Sequence, residues 1–145
     1  MSDADDLEVD PDEVARASAE AMEAQDRAGA GLGLQLLDIG PGYATVAMTV
    51  TEAMTNGAGE ARGGFVFLLA ESAFAFACNS RGEKAAAQHG QISFLRPGRL
   101  GERLVATAHE VYREGCGIYD VNVSAGEETV AEFRGHSRPI GGRWV

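Results

Sequence analysis

The chain has 145 residues, 45% of them hydrophobic, which fits one domain with a core of ordinary size. Its net charge of −10 excludes a nucleic-acid partner, because the phosphate term would be repulsive. The acidity is uneven: residues 1–14 hold seven acids (Asp3, Asp5, Asp6, Glu8, Asp10, Asp12, Glu13) and no base, leaving 15 acids against 12 bases in the remainder. An acidic, aromatic-free end of this kind is expected to stay solvated. Residues 1–10 therefore read as an acidic disordered tail and 11–145 as one folded domain.

The longest apolar run, 65–70, is far too short to span a bilayer. The start of the chain lacks the basic-then-apolar signature of a signal peptide. A cytoplasmic protein with no membrane partner is expected. Cys78 and Cys116 are the two cysteines, and they lie far apart. Neither a disulfide framework nor a metal site follows from them, and no cofactor is expected.

The first predicted element is a helix over "DPDEVARASAEAMEAQD". Asp10 can cap it, Pro11 suits its first position, and Asp12 and Glu13 favour the positive end of its dipole. "AGAGLG" is expected to end it. "GLQLLDIG" reads as a short strand. In "YATVAMTV", Ala44, Val46, Met48 and Val50 alternate with Tyr43, Thr45, Ala47 and Thr49, a period of two. "NGAGEARGGFVFLLAESAFAFACNS", residues 56–80, opens with glycines and continues as a long helix apolar on nearly every side. "AAAQHGQISFL" is a strand and "RPGRLGE" a turn. "RLVATAHEVYR", "GIYDVNVSA" and "ETVAEFRGHSR" are three more strands, joined by "REGCG" and "AGEE", which have hairpin chemistry.

Sequential strands with tight turns favour an antiparallel sheet. A helix apolar on nearly every side must be enclosed. The simplest architecture meeting both demands is α+β: one long central helix wrapped by a curved antiparallel sheet of about six strands. That is the hotdog arrangement.

Gly63 and Gly64 open the central helix and leave its first N–H groups for an anion or a polarised carbonyl, unless they only make a turn. Glu71 stands inside the apolar run. It lies eight residues beyond Gly63, about 12 Å along the axis, too far to act on a carbonyl held at the same helix start. Two such helices running antiparallel across a dimer would bring Glu71 of one to the start of the other. Leu69, Ala70, Ala73 and Phe74 are expected to desolvate it and raise its pKa. The plain alternative is that Glu71 and Ser72 face solvent.

"NG", "GG" six residues on, "LAESAFAFACNS", "FLRPG", "FRG" and "IGG" occur in that order. Over most of the domain the chain thereby resembles the PaaI-type hotdog thioesterases of phenylacetate degradation. The resemblance implies metal-free hydrolysis of aryl- or acyl-CoA thioesters by a homotetramer built as a dimer of dimers, with CoA as part of the substrate. It implies that Asn56 positions the nucleophile or thioester and that the Gly63 N–H polarises the thioester carbonyl, with Gly64 beside it. Glu71 stands where the family usually has aspartate, as nucleophile or as general base. Two family histidines are replaced, by Ala58 and by Arg62. Arg62 keeps a donor; it can serve the thioester oxygen, a CoA phosphate or Glu71 itself. Gln91 lies near a position where the family often has a small hydroxyl residue.

CoA phosphates need bases. Arg96 and Arg99 in the "RPGRLGER" turn are the candidates, since a guanidinium can hold two phosphate oxygens. His109 and His136 lie in strand patterns with no acid or nucleophile in a triad-like relation, and His89 is either a substrate contact or a structural or surface histidine. Phe65, Phe67, Phe74 and Phe76 either line an aryl pocket or fill the core. The lost histidines keep a second reading open: a hotdog protein that binds acyl-CoA without hydrolysing it.

Overall fold

The structure, a computed structural model, describes residues 9–145. The expected acidic tail over 1–10 lies, for residues 1–8, outside the described residues. Helix α1 runs Pro11–Glu23, and the Asp10 carboxylate accepts from the Asp12 N–H at its start. The "AGAGLG" segment does not simply end this helix. The Asp26 side chain accepts from Gly29 N at 2.9 Å and restarts the chain as a short helix α2, Arg27–Leu32. Gly33 then closes α2 at φ 69°, a conformation that suits glycine.

Six strands follow: β1 (Gln35–Gly40), β2 (Tyr43–Thr49), β3 (Glu83–Phe94), β4 (Arg103–Glu114), β5 (Cys116–Ala125) and β6 (Glu128–Arg143). They form one open antiparallel sheet in the order β1-β2-β4-β5-β6-β3. Strand β6 runs five residues beyond its predicted end, because Pro139 and Arg143 still pair with Ala85 and Glu83 of β3. The long helix α3, Gly63–Asn79, connects β2 to β3 and packs across one face of this sheet. The architecture is the hotdog fold.

The inward residues of the strands (Val46 and Met48, Leu104 and Ala106, Val121 and Val123, Ala131 and Phe133) meet Leu69, Ala70, Ala73, Phe74 and Ala77 of α3 in one buried core. Each fully buried large side chain of this kind contributes about 1.5–3 kcal/mol. Phe74 is at the centre. Its ring lies 5.6 Å from that of Tyr119 and 5.8 Å from that of Phe133. It also presses directly on β6 at Gly135, where a Cβ would stand 2.8 Å from the Phe74 ring.

Helix α3 is not enclosed on all sides. Gly64 is exposed, and Leu68, Glu71, Ala75 and Cys78 are only half-buried. Their spacing of four, three, four and three residues is one stripe on a helix. The sheet covers the opposite face, and α1 touches only part of the stripe's side. No helix among the described residues is long and apolar enough to cross a membrane.

Gly135→Ala is expected to destabilise the fold by about 1–3 kcal/mol, the usual cost of overpacking, because the new methyl meets a ring that is itself walled in. Urea unfolding checks this. An unchanged midpoint would mean that α3 is not seated through Phe74.

Candidate active site

Helix α3 starts without help from a side chain. Arg62 holds the cap position in an extended conformation and makes no side-chain cap bond, and no acid stands in the first turn. The Arg62 N–H is tied to Met54 O at 2.9 Å and Ala61 N to Gly98 O at 2.7 Å, which fixes the incoming loop against the 96–102 turn. The N–H groups of Gly63 and Gly64 have no acceptor among the described residues. They are donors at the positive end of a 17-residue helix. Phe94 sits over this start, its ring tip 2.9 Å from where a Gly63 Cβ would be. Glycine at 63 therefore makes room for the Phe94 ring as well as for a turn. Around Gly64 the space is open.

Asn56 organises the loop. Its Oδ1 accepts from Ala58 N at 2.8 Å and Glu60 N at 3.2 Å, which leaves its amide N–H groups for other partners. The same loop forms a bridge with the following turn, Glu60 against Arg99. Arg62, Arg99, the glycine pair and Asn56 are thus brought to one end of α3. The Arg62 and Arg99 guanidinium groups enter no ion pair among the described residues. Arg62 and Glu71 do not pair within the chain.

Arg96 is differently placed. Two of its nitrogens hold Glu102 at 2.8 and 2.9 Å, and its Nε lies 3.1 Å from Glu128, off the N–H axis. Its fork is filled, which holds the Glu102 carboxyl below its ordinary range. Gln91 lies on the sheet face away from α3. Its neighbours Gly90 and Ile92 face inward, Gly90 against Phe133 and Phe67. The structure does not bring Gln91 to Glu71 within one chain. His89 and His136 pair across β3 and β6, ring to ring at 5.2 Å. Burial pushes the Cys78 thiol up to about 12, so it stays protonated.

Glu71 is half-buried and has no hydrogen-bond or ion-pair partner among the described residues. It lines a cleft of about 360 Å³ between α3, the α1–α2 bend and the end of the chain. Its pKa is raised, first by burial and then by the Asp26 carboxylate across the cleft. The desolvating residues differ from those expected. Leu69, Ala70, Ala73 and Phe74 are buried in the core between α3 and the sheet and do not line this cleft. The cleft walls are instead Leu68, Ala75 and Phe76, with Met22 from α1 and Trp144 from the tail. Leu68 and Ala75, three residues before and four residues after Glu71, share its helix face. Ser72 is buried and spends its hydroxyl on Leu68 O at 2.7 Å.

Trp144 and Asp26 were not singled out from the sequence. The indole N–H of Trp144 donates to Asn79 Oδ1 at 2.8 Å, its backbone N–H donates to Gly82 O at 2.7 Å, and Lys84 sits 4.6 Å over the ring. Its only sequence signal is that it is the single tryptophan of the chain.

An unpartnered carboxylate with a raised pKa at one place, and free helix-start amides at another, suit acyl chemistry. Comparison with known proteins agrees. Residues 59–116 match the family model of the thioesterase superfamily. The chain is 45% identical to acyl-coenzyme A thioesterase PaaI of Escherichia coli over 128 residues, 86% of this chain and 91% of that one. A solved structure of the E. coli PaaI protein superposes with a TM-score of 0.90, at 41% identity, over 92% of this chain and 99% of that chain. Human acyl-coenzyme A thioesterase 13 is 30% identical over 114 residues, 74% of this chain and 80% of that one. The chain belongs to the PaaI-type thioesterases. In this PaaI-type chain the family-model match runs from the loop before α3 to the start of β5. It takes in Arg62, Gly63, Gly64, Glu71, Gln91, Arg96 and Arg99 but neither Asp26 nor Trp144.

Because the folded state holds the Glu71 pKa above its unfolded value, the ionised group opposes folding at neutral pH. Glu71→Gln is expected to raise the melting temperature at pH 7. The gain should shrink as pH falls through the carboxylate range, where Glu71 is protonated in both states. A gain equal at pH 7 and pH 4 would show that desolvation is not its cause.

Proposed function

We propose that this protein hydrolyses acyl-CoA thioesters, with an aryl-acetyl-CoA such as phenylacetyl-CoA as substrate. We propose further that each site is completed across a homodimer. The observation that carries the reading is Glu71: a half-buried, unpartnered carboxylate on the stripe of α3 that the sheet leaves open.

One helix cannot serve both ends of the reaction. Gly63 and Glu71 are about 12 Å apart along the same axis. A second α3 lying antiparallel on the open stripe supplies the missing half. The surface around it supports such a partner. Strand β3 is a 12-residue edge strand, Phe94 at its end is 52% exposed, and the next residue, Leu95, is 59% exposed. A long unguarded edge with large apolar side chains suits pairing with a second copy. Two such dimers would form the tetramer implied by the family.

The chemistry runs without metal or cofactor in this reading. The thioester oxygen accepts from the Gly63 N–H, with the Gly64 N–H and Asn56 amide beside it. Glu71 from the facing protomer removes a proton from water as the water oxygen attacks the carbonyl carbon. The tetrahedral anion rests on the helix-start donors. It collapses, the C–S bond breaks, and the CoA thiolate takes up a proton, giving the carboxylic acid and free CoA. A raised pKa makes Glu71 a stronger base than an exposed carboxylate. Arg62 stands where a family histidine would, and adds fixed positive charge near the oxyanion. Arg99, whose guanidinium is free, takes a CoA phosphate, while Arg96 holds the turn through Glu102 and Glu128. The aryl preference rests on likeness to the E. coli protein of the phenylacetic acid degradation operon.

Thiol release from phenylacetyl-CoA and a short acyl-CoA panel tests the proposal. Glu71→Ala is expected to abolish turnover while the circular-dichroism spectrum is kept, and Glu71→Asp to retain part of it. Near-wild-type turnover in Glu71→Ala would sink the assignment. If the wild type binds acyl-CoA but hydrolyses none, the protein is a binding module and the replaced histidines explain why. Gly63→Ala keeps the N–H but pushes on Phe94, a half-exposed ring that can yield, so the chain should fold while the added methyl displaces the thioester and kcat falls by about a hundredfold.

A further inference from the structure

The thioester has two sides, and the charges of this chain separate them. Arg62 and Arg99 lie with the helix start, at one end of α3. The cleft beside Glu71 contains no base among its lining residues and two acids, Glu71 and Asp26. Such a cleft rejects the phosphates of CoA by charge. Its large walls are apolar and aromatic, Met22, Leu68, Phe76 and Trp144, with Gln25 and Ser72 as the uncharged polar residues of the lining. Its volume, about 360 Å³, has room for a benzyl group.

We infer that this cleft receives the acyl group and that Trp144 is the residue that selects an aryl end there. The inference rests on the proposed thioesterase reading, because it takes Glu71 as the point where the acyl carbon is held. From that point the CoA side must leave toward the arginines, and the acyl side enters the cleft. Trp144 is a fit wall because it is fixed. Its ring nitrogen is held by Asn79, itself buried and bonded to Ala75 O at 2.9 Å and to Ala85 N at 2.9 Å. Its backbone is held by Gly82, and the Lys84 ammonium lies 4.6 Å over one face of the ring. A ring placed in this way offers an edge or a face to an incoming aryl group at little further ordering cost. Met22 reaches the same space from α1 and can adapt its shape.

Two measurements test this. The first is kcat/KM for phenylacetyl-CoA and for acetyl-CoA with wild type, Trp144→Leu and Trp144→Phe. Trp144→Leu should lower the phenylacetyl value about tenfold and the acetyl value less than twofold, the scale of a lost aromatic contact. Trp144→Phe should restore most of the difference. An equal fall for both substrates would make Trp144 a structural residue only and overturn the inference. The second uses the emission of the single tryptophan in Glu71→Gln, which keeps Trp144 in place. Phenylacetyl-CoA should shift that emission and CoA alone should not. Calorimetric binding of phenylacetyl-CoA with no change in emission would also overturn it. Failure of the thioesterase reading looks different: the wild type then hydrolyses neither substrate, and a phenylacetyl-specific emission shift would still place the aryl group against Trp144.

Discussion

Phe74 packs against the backbone of β6 at Gly135, and most of the molecule is arranged around that contact. A side chain at 135 would hold the helix off the sheet. With glycine there, α3 settles deeply enough for its apolar residues to reach the inward faces of the strands. A helix seated so firmly on one side has a fixed rotation about its axis. That rotation puts Leu69, Ala73 and Phe74 into the core, and it puts Gly64, Leu68, Glu71, Ala75 and Cys78 on the side the sheet does not cover. The position of the carboxylate is a consequence of where the rings go.

Electrostatics divides the same helix along its length. Its start carries unpaired N–H donors with two uncommitted arginines nearby. Its middle carries a carboxylate whose charge is opposed both by burial and by Asp26. Elsewhere the chain neutralises its charges internally: Arg96 with Glu102 and Glu128, Arg134 with Asp120, and Arg81 with Glu110, which also accepts from the Tyr119 hydroxyl. Glu71, Arg62 and Arg99 are among the charged groups without an ion-pair partner among the described residues, and they are the ones the proposed reaction uses. A partly buried carboxylate without a hydrogen bond is costly to a monomeric fold. In the proposed reaction that carboxylate is the base, which would account for its being kept.

The parts of the site come from three different stretches of chain. The loop before α3 and the helix start hold the N–H groups, the middle of the helix holds the Glu71 carboxylate, and the α1–α2 bend with Trp144 gives the cleft wall. Asp26 does two things at once, capping α2 and raising the Glu71 pKa across the cleft. The tail is drawn in by Asn79, which closes the end of α3 and also holds the Trp144 ring.

By itself the sequence determined the order of the six strands and of α1 and α3, the antiparallel sheet and Glu71 as the residue to explain, but it missed α2. Those follow from local signals: alternation in β2 and β5, glycine turns at 115 and 126, and an apolar run broken by a single acid. It also placed the chain by its motifs, since "LAESAFAFACNS" and "FRGHSRPIGG" encode the two sides of the Phe74 contact. It did not determine which neighbours dry Glu71, because that depends on the rotation of α3, which nearly uniform apolarity leaves unmarked. It did not separate Arg96 from Arg99, since two arginines three residues apart look alike until Glu128, distant in sequence, is folded against one of them. Nor did it mark Asp26 and Trp144, which become part of the site only when the two ends of the chain meet over the middle of α3. Contacts between residues more than a hundred positions apart are fixed by the packing of the whole domain, and only the tertiary structure decided them.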